Sequence, residues 1–340
     1  MKHLIPLFGA TVLGVILISV TTSFALTRPE SIFESAPFVT KTLVATSTTL
    51  LPSDPRIPSE FLQLSEPGPI PSHPPSVYLQ SPPLEYLRRV TGNPKVKKGE
   101  LSVQVPILMY HRVRYLPLHP KPKEIPYSVS PDVFRAQMEG LVRAGYHTIT
   151  PDDLDQALRD DGGTGAMTQP LPSKPVLITF DDGYRDQYEN AVPILKEFRL
   201  KATFFVVTQI GQLKGFMTEQ MIRELDQQGF TIAAHTRHHP WLTKYGKTSQ
   251  MDEIKGSKQD LEIMLGHSVT SFAYPYGALS EQVKKEVEQA GYHLGFWVRL
   301  GSIHTTSSRY ELRRIQIRDH EDLVPLLDQF STTTVIGIKK

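Results

Sequence analysis

The chain has 340 residues, 28 prolines, no cysteine and a formal net charge of +2. That balance argues against a nucleic-acid partner, which selects a strongly basic surface. Without a thiol there is no disulfide, no thiolate metal ligand and no cysteine nucleophile; a chain of this length must be held by the core of one large domain.

Met1-Lys2-His3 is a short basic start, and Leu4 to Val20 is an uncharged, mostly apolar run followed by small residues at Ser23 and Ala25. The pattern predicts a secretory signal over residues 1–25, cut after Ala25. The alternative is an uncleaved anchor, because about 17 apolar residues sit near the lower limit for crossing a bilayer. Either outcome exports the remainder, to the periplasm, the cell surface or the medium, and the second attaches it to the membrane through residues 4–20. Residues 26–100 read as linker. Pro52 to Pro94 holds 11 prolines in 43 residues, about five times ordinary usage, and its apolar residues follow no period. Such a composition cannot bury a core and predicts a disordered, polyproline-like spacer.

After Gly99 the pattern changes, which sets a domain over 101–340 with its central part at about 174–340. Val105-Pro106-Ile107-Leu108-Met109-Tyr110 is an apolar strand. Ser130 can cap a helix that has Pro131 in its first position. Phe134, Met138, Leu141 and Val142 then share one helical face, and Gly145 ends it. Further strands are expected at Pro175–Phe180, Ala202–Val207, Thr231–His235 and Val269–Tyr274. Helices are expected at Glu189–Phe198, Glu219–Gln228, Gln250–Leu265 and Glu281–Ala290, with caps at Thr218, Ser249 and Ser280 and stops at Gly229, Gly266 and Gly291. Apolar strands alternating with amphipathic helices mean a parallel sheet covered by helices. No glycine-rich phosphate loop follows these strands, which favours a (β/α) barrel over a nucleotide-binding sheet.

Two stretches carry chemistry. In Thr179-Phe180-Asp181-Asp182-Gly183-Tyr184 two carboxylates end an apolar strand, where parallel α/β folds place their sites. Neighbouring strand residues face opposite ways, so both can serve one site only if the backbone turns there, as Gly183 allows. One carboxylate can hold a metal while the other takes a proton. In His235-Thr236-Arg237-His238-His239-Pro240 the first histidine ends a strand. His239, four positions on, shares its side in a helix or turn, whereas His238 faces elsewhere and reads as a surface residue. Two imidazoles and one carboxylate suit a catalytic divalent ion with open positions.

These motifs, with Phe272-Ala273-Tyr274-Pro275-Tyr276-Gly277 and the opening strand Val105 to Val113, resemble the polysaccharide deacetylases of carbohydrate esterase family four, the NodB-homology domain. The resemblance covers about residues 103–317. It implies a distorted (β/α) barrel, and a divalent ion, usually zinc, held by Asp182, His235 and His239. It implies further that Asp181 is the general base and that the Tyr276 backbone N–H faces the oxyanion. The substrate class implied is an N-acetylglucosamine polymer: poly-N-acetylglucosamine, peptidoglycan or a chitin-like chain. A catalytically weak carbohydrate-binding barrel and an O-acetyl esterase are the alternatives.

The sequence departs from the family in two places. The family's arginine ahead of the third motif's Pro-Tyr, which pairs with the base, is replaced by Phe272 and Ala273; Arg112, Arg313 and Arg314 are candidates for its role. The late Leu-x-His motif that often supplies the acid has no clean match. His111, at a strand end, is the preferred acid, ahead of His304 and the misspaced His320. Tyr184, Tyr276, Phe296 and Trp297 can stack on sugars, although Phe296 and Trp297 fit core packing better.

Overall fold

Apolar residues that run without interruption along short strands can only be satisfied when both faces are covered, and that is what the chain builds. A computed structural model describes residues 100–331 apart from 160–169 and 212, together with 94 and 96–98. The expected signal or anchor run and nearly all of the proline-rich linker lie outside the described residues. In chain order the strands are β1 (Ser102–Gln104), β2 (Ile107–Tyr110), β3 (Arg112–Val113), β4 (Ser128–Val129), β5 (His147–Thr148), β6 (Pro175–Phe180), β7 (Thr203–Val206), β8 (Thr231–Ala234), β9 (Ser271–Ala273), β10 (Leu294–Phe296), β11 (Ile303–Thr305) and β12 (Ile315–Gln316). The helices are α1 (Pro131–Arg143), α2 (Pro151–Ala157), α3 (Val192–Glu197), α4 (Glu219–Gln227), α5 (Lys247–Leu265), α6 (Glu281–Gln289) and α7 (Leu323–Ser331).

The central sheet runs β10-β9-β8-β7-β6-β2-β12, with β5 added on β6. Every pairing in it is parallel. Helices lie between successive strands, so the architecture is a parallel half-barrel of the distorted (β/α) type. Side chains alternate between two cores. Leu108, Tyr110, Ile178, Phe180, Phe204, Ile232 and Phe272 pack outward in one cluster with the helices. Ile107, Leu177, Phe205, Ala233, Ala273 and Phe296 pack together in a second, inner cluster. Continuing that inner parity one step past each strand end reaches His111, Asp181 and His235. The parity of the strands thus aims these three polar groups into the barrel mouth.

The expected strands form with ends trimmed by up to two residues. Thr218 and Ser280 cap their helices, accepting from the backbone N–H of Met221 at 3.3 Å and Val283 at 3.2 Å. Gly145, Gly229, Gly266 and Gly291 all adopt positive φ at helix ends. Two details differ. Ser249 is not a cap: α5 starts at Lys247 after Gly246, whose extended φ/ψ serves without a side chain. Ser130 occupies the N-cap position of α1 but makes no side-chain cap; its backbone N–H donates to Asp319 at 2.6 Å instead. The expected helix at Glu189–Phe198 is built of a π turn, Gln187–Ala191, that runs into α3. Among the described residues no helix is long and apolar enough to cross a membrane.

Candidate active site

The mouth of the barrel holds a cavity of about 370 Å³, within the range of small-ligand sites. His111, Asp181, Asp182, His235, His239 and Tyr276 all line it. The structure therefore brings together every residue that the sequence singled out as catalytic or metal-ligating.

Asp181 continues the inward parity of β6, and Asp182 would face away if the strand went on. It does not, because Asp182 itself takes a left-handed backbone at φ 75°, followed by Gly183 at 78°. The turn thus begins one residue before the glycine and swings the Asp182 carboxylate back over the site. Its Oδ1 lies 3.4 Å from His235 Nε2 and 3.2 Å from His239 Nε2. All three groups are buried, and their ligand atoms lie within 4.8 Å of one another.

The histidines reach this point through a turn rather than a helix. Thr236 and His239 are both left-handed, at φ 67° and 59°. The Thr236 hydroxyl accepts from the His239 N–H at 2.9 Å. Glu253 of α5 accepts from the N–H groups of Arg237 at 3.0 Å and His238 at 2.9 Å. His238 is not the surface residue expected of it: it is buried, with Nδ1 2.8 Å from Glu253 Oε1. It pins the turn that carries its neighbour.

The donor set fits a divalent ion. His235 Nδ1 lies 2.8 Å from the Ala273 carbonyl, which can only accept, so Nδ1 carries the proton and Nε2 turns a lone pair to the cluster. A tetrahedral ion with ligands at about 2.0–2.1 Å sets neighbouring donor atoms about 3.3 Å apart, which matches the two separations from Asp182. Burial by itself would raise the Asp182 carboxyl, but the imidazoles of His235 and His239 outweigh it and hold the group well below the ordinary carboxylate range.

Asp181 has a different partner. Arg314, fully buried just ahead of β12, donates to both of its oxygens, Nη1 to Oδ1 at 2.6 Å and Nη2 to Oδ2 at 2.7 Å. Its Nε donates to the Trp297 carbonyl at 3.1 Å. Of the three candidate arginines, Arg314 is thus the one on the base position. Arg112 pairs with Asp186, and Arg313 packs near the Trp297 ring, 6.0 Å from its centroid. Burial pushes Asp181 up, Arg314 and then His235 pull it down, and the net is a carboxyl below its ordinary value.

The candidate acids separate by place. His111 is half-buried at the cavity wall, its ring 4.8 Å from that of Tyr127. Burial lowers it, against the carboxylates of Asp182 and Asp181. Buried Gln187 donates at 2.5 Å to the backbone carbonyls of both His111 and Asp181 and so ties the two strand ends together. His304 is fully buried on β11, with Nε2 2.9 Å from the Val105 carbonyl; neither it nor His320 is among the cavity-lining residues.

Of the candidate sugar platforms, Phe296 is fully buried, and half-buried Trp297 donates Nε1–H to the Gly277 carbonyl at 3.0 Å. Tyr184 lines the cavity, stacked on Phe216. Tyr276, left-handed at φ 57°, stacks on Trp241 with centroids 5.1 Å apart. Both rings are more than a third exposed. Trp241 was missed in the sequence; its position two residues after His239 was the available signal.

The family model for polysaccharide deacetylase matches residues 168–295. The YxkH protein of Bacillus subtilis, whose name places it among polysaccharide deacetylases, is 32% identical over 220 residues, 65% of this chain and 74% of the relative. The poly-beta-1,6-N-acetyl-D-glucosamine N-deacetylase of Staphylococcus aureus is 27% identical over 247 residues, 66% of this chain and 82% of the relative. The Streptococcus pyogenes deacetylase PplD, solved with acetate, superposes with a TM-score of 0.60 at 29% identity and covers 67% of this chain and 98% of that one. With the site geometry, these likenesses establish that the chain belongs to the polysaccharide deacetylase family, carbohydrate esterase family four.

Proposed function

We propose that this enzyme hydrolyses the N-acetyl groups of an N-acetylglucosamine-containing polysaccharide, with Asp181 as base, His111 as acid and Asp182, His235 and His239 as metal ligands. The observation that carries the reading is the placement of Asp181. It is clamped by Arg314, which keeps it ionised, next to an Asp-His-His cluster of separate function. A sugar-binding barrel has no use for such a pairing. Two imidazoles and one carboxylate favour zinc over magnesium or calcium. When bound, the ion supplies Lewis acidity for the acetamide carbonyl and for water.

The chain's own groups do the rest. Asp181 accepts a proton from the water that attacks the carbonyl carbon. The Tyr276 N–H, on its left-handed turn at the cavity wall, donates to the oxyanion that forms, a contact worth about 3 kcal/mol in comparable sites. His111 gives a proton to the nitrogen as the C–N bond breaks, so the products are acetate and a free amine. The stacked rings of Tyr276 and Trp241 offer a flat face to a sugar ring.

We further infer that residues 1–25 export the chain, that residues 26–100 are a spacer, and that residues 101–340 form the enzyme. The Leu4–Val20 run and the proline content support this arrangement. The test is acetate release from poly-N-acetylglucosamine, peptidoglycan and chitin oligomers, with and without chelator. Release from at least one polymer that stops with chelator and returns with zinc is expected. Release from none, or release only from O-acetylated polymers, refutes the reading.

A further inference from the structure

The cavity has one wall that the reaction does not use. Arg112 and Arg114 flank buried Val113 at β3, so both point to the same side, and both line the cavity together with Lys123 and Glu124. Three cations face two carboxylates there. Arg112 is satisfied: Nε and Nη2 reach Asp186 Oδ2 at 2.8 and 2.6 Å, and its guanidinium lies 4.2 Å over the Tyr184 ring. Arg114 is not. Its one ion pair joins Nη2 to Glu124 at 3.2 Å, its side chain is 18% exposed, and its buried Nε has no hydrogen-bond partner. Lys123, exposed at the rim, pairs with no carboxylate among the described residues.

Placing two guanidinium groups side by side, and leaving a buried donor of one without an acceptor, is unfavourable unless an anion comes to them. The remaining charges of the cavity do not supply it, because Asp181 is taken by Arg314 and Asp182 faces the imidazoles of His235 and His239. We propose that this wall binds an acidic substituent of the glycan, a carboxylate or a phosphate, beside the sugar whose acetamide is hydrolysed, with Arg114 as the main contact. A guanidinium fork suits the paired oxygens of either group. The inference rests on the deacetylase reading and narrows its substrate class to glycans that carry negative charge near the scissile unit.

The test compares kcat/KM on three oligomers: neutral triacetylchitotriose, the same trimer bearing a 6-phosphate, and the trimer oxidised to a 6-carboxylate. The wild-type enzyme should prefer at least one acidic trimer by about tenfold, the low end for one charge-assisted hydrogen bond. The preference should shrink in 1 M salt. Arg114→Gln should bring the acidic-to-neutral ratio close to one. Lys123→Gln, an exposed change that leaves the fold alone, should lower it by about twofold. Which acidic trimer is preferred tells phosphate from carboxylate. A wild-type ratio near one, or a ratio unchanged in both variants, overturns the proposal while leaving deacetylation intact. If no trimer releases acetate, the polymer panel above decides the deacetylase reading. Calorimetric binding of the three trimers to the full-length wild-type protein then decides the wall separately: tighter binding of an acidic trimer supports it, and equal binding overturns it.

Discussion

Replacing Arg314 by methionine removes the partner of a buried carboxylate and keeps most of the side chain's volume. The pair is fully enclosed, with Arg314 at 0% and Asp181 at 3% side-chain exposure, so surface screening does not soften the loss. Stripping one member from a buried pair costs about 3–5 kcal/mol, because the other is left charged and unpaired. For a domain of this size that is a fall of roughly 10 °C in Tm. Asp181→Leu strands the arginine instead and should cost a comparable amount. The double variant Arg314→Met/Asp181→Leu leaves no charge behind, and well-packed apolar replacements of ion pairs are often near neutral. Urea unfolding of the four proteins should therefore give a coupling energy of at least about 2 kcal/mol, with the double variant far more stable than the two single losses added together. Single losses below about 1 kcal/mol that simply add would show that the pair is wet and that Asp181 is held by something else.

Further outcomes follow from the same geometry. His239→Ala should lose both bound zinc and acetate release, and retention of one zinc per chain by this variant would remove His239 from the ligand set. Asp181→Asn should keep its metal while acetate release falls by about 100-fold or more, as for a lost general base; Asp182→Asn should lose metal and rate together, and the reverse pattern would exchange the two roles. His304 gives the fold a dependence on pH. Burial, aided by nearby Arg313, depresses it to about 4 from 6.5, and its Nδ1 is buried without a hydrogen-bond partner. Between those values the unfolded chain binds the proton and the folded one refuses it, so stability is full above pH 6.5 and falls as the pH drops towards 4. The gap is worth about 3 kcal/mol. His304→Gln should flatten that slope in chemical unfolding curves, and an unchanged slope would mean that other groups set it.

Strand–helix alternation and the two motifs were readable because each rests on local pattern. The runs ending at Phe180 and Ala234 are apolar throughout, and inward parity carries Asp181 and His235 to one place. What escaped is not local. Arg314 lies 133 residues from Asp181, ahead of a strand only two residues long, so no apolar run announced which of three arginines faces inward. His238 looked like a surface histidine because its partner, Glu253, comes from a helix that begins nine residues later. Trp241 meets Tyr276 across two loops from different strands. Turns were placed from glycines, yet Asp182, Thr236, His239 and Tyr276 take the left-handed backbone without being glycine.

Those four left-handed residues stand at the reacting end of the barrel, and each conformation costs a non-glycine residue about 1–2 kcal/mol. The rest of the fold must hold them there. A search for heat-resistant variants that ignores activity will therefore find its gains at these positions first, where glycine or asparagine relaxes the backbone. His239→Gly and Asp182→Gly would relax the backbone only by dismantling the site. Thermal hardening of this enzyme has to be sought at the other end of the strands, where helix caps and loop prolines act without touching the mouth.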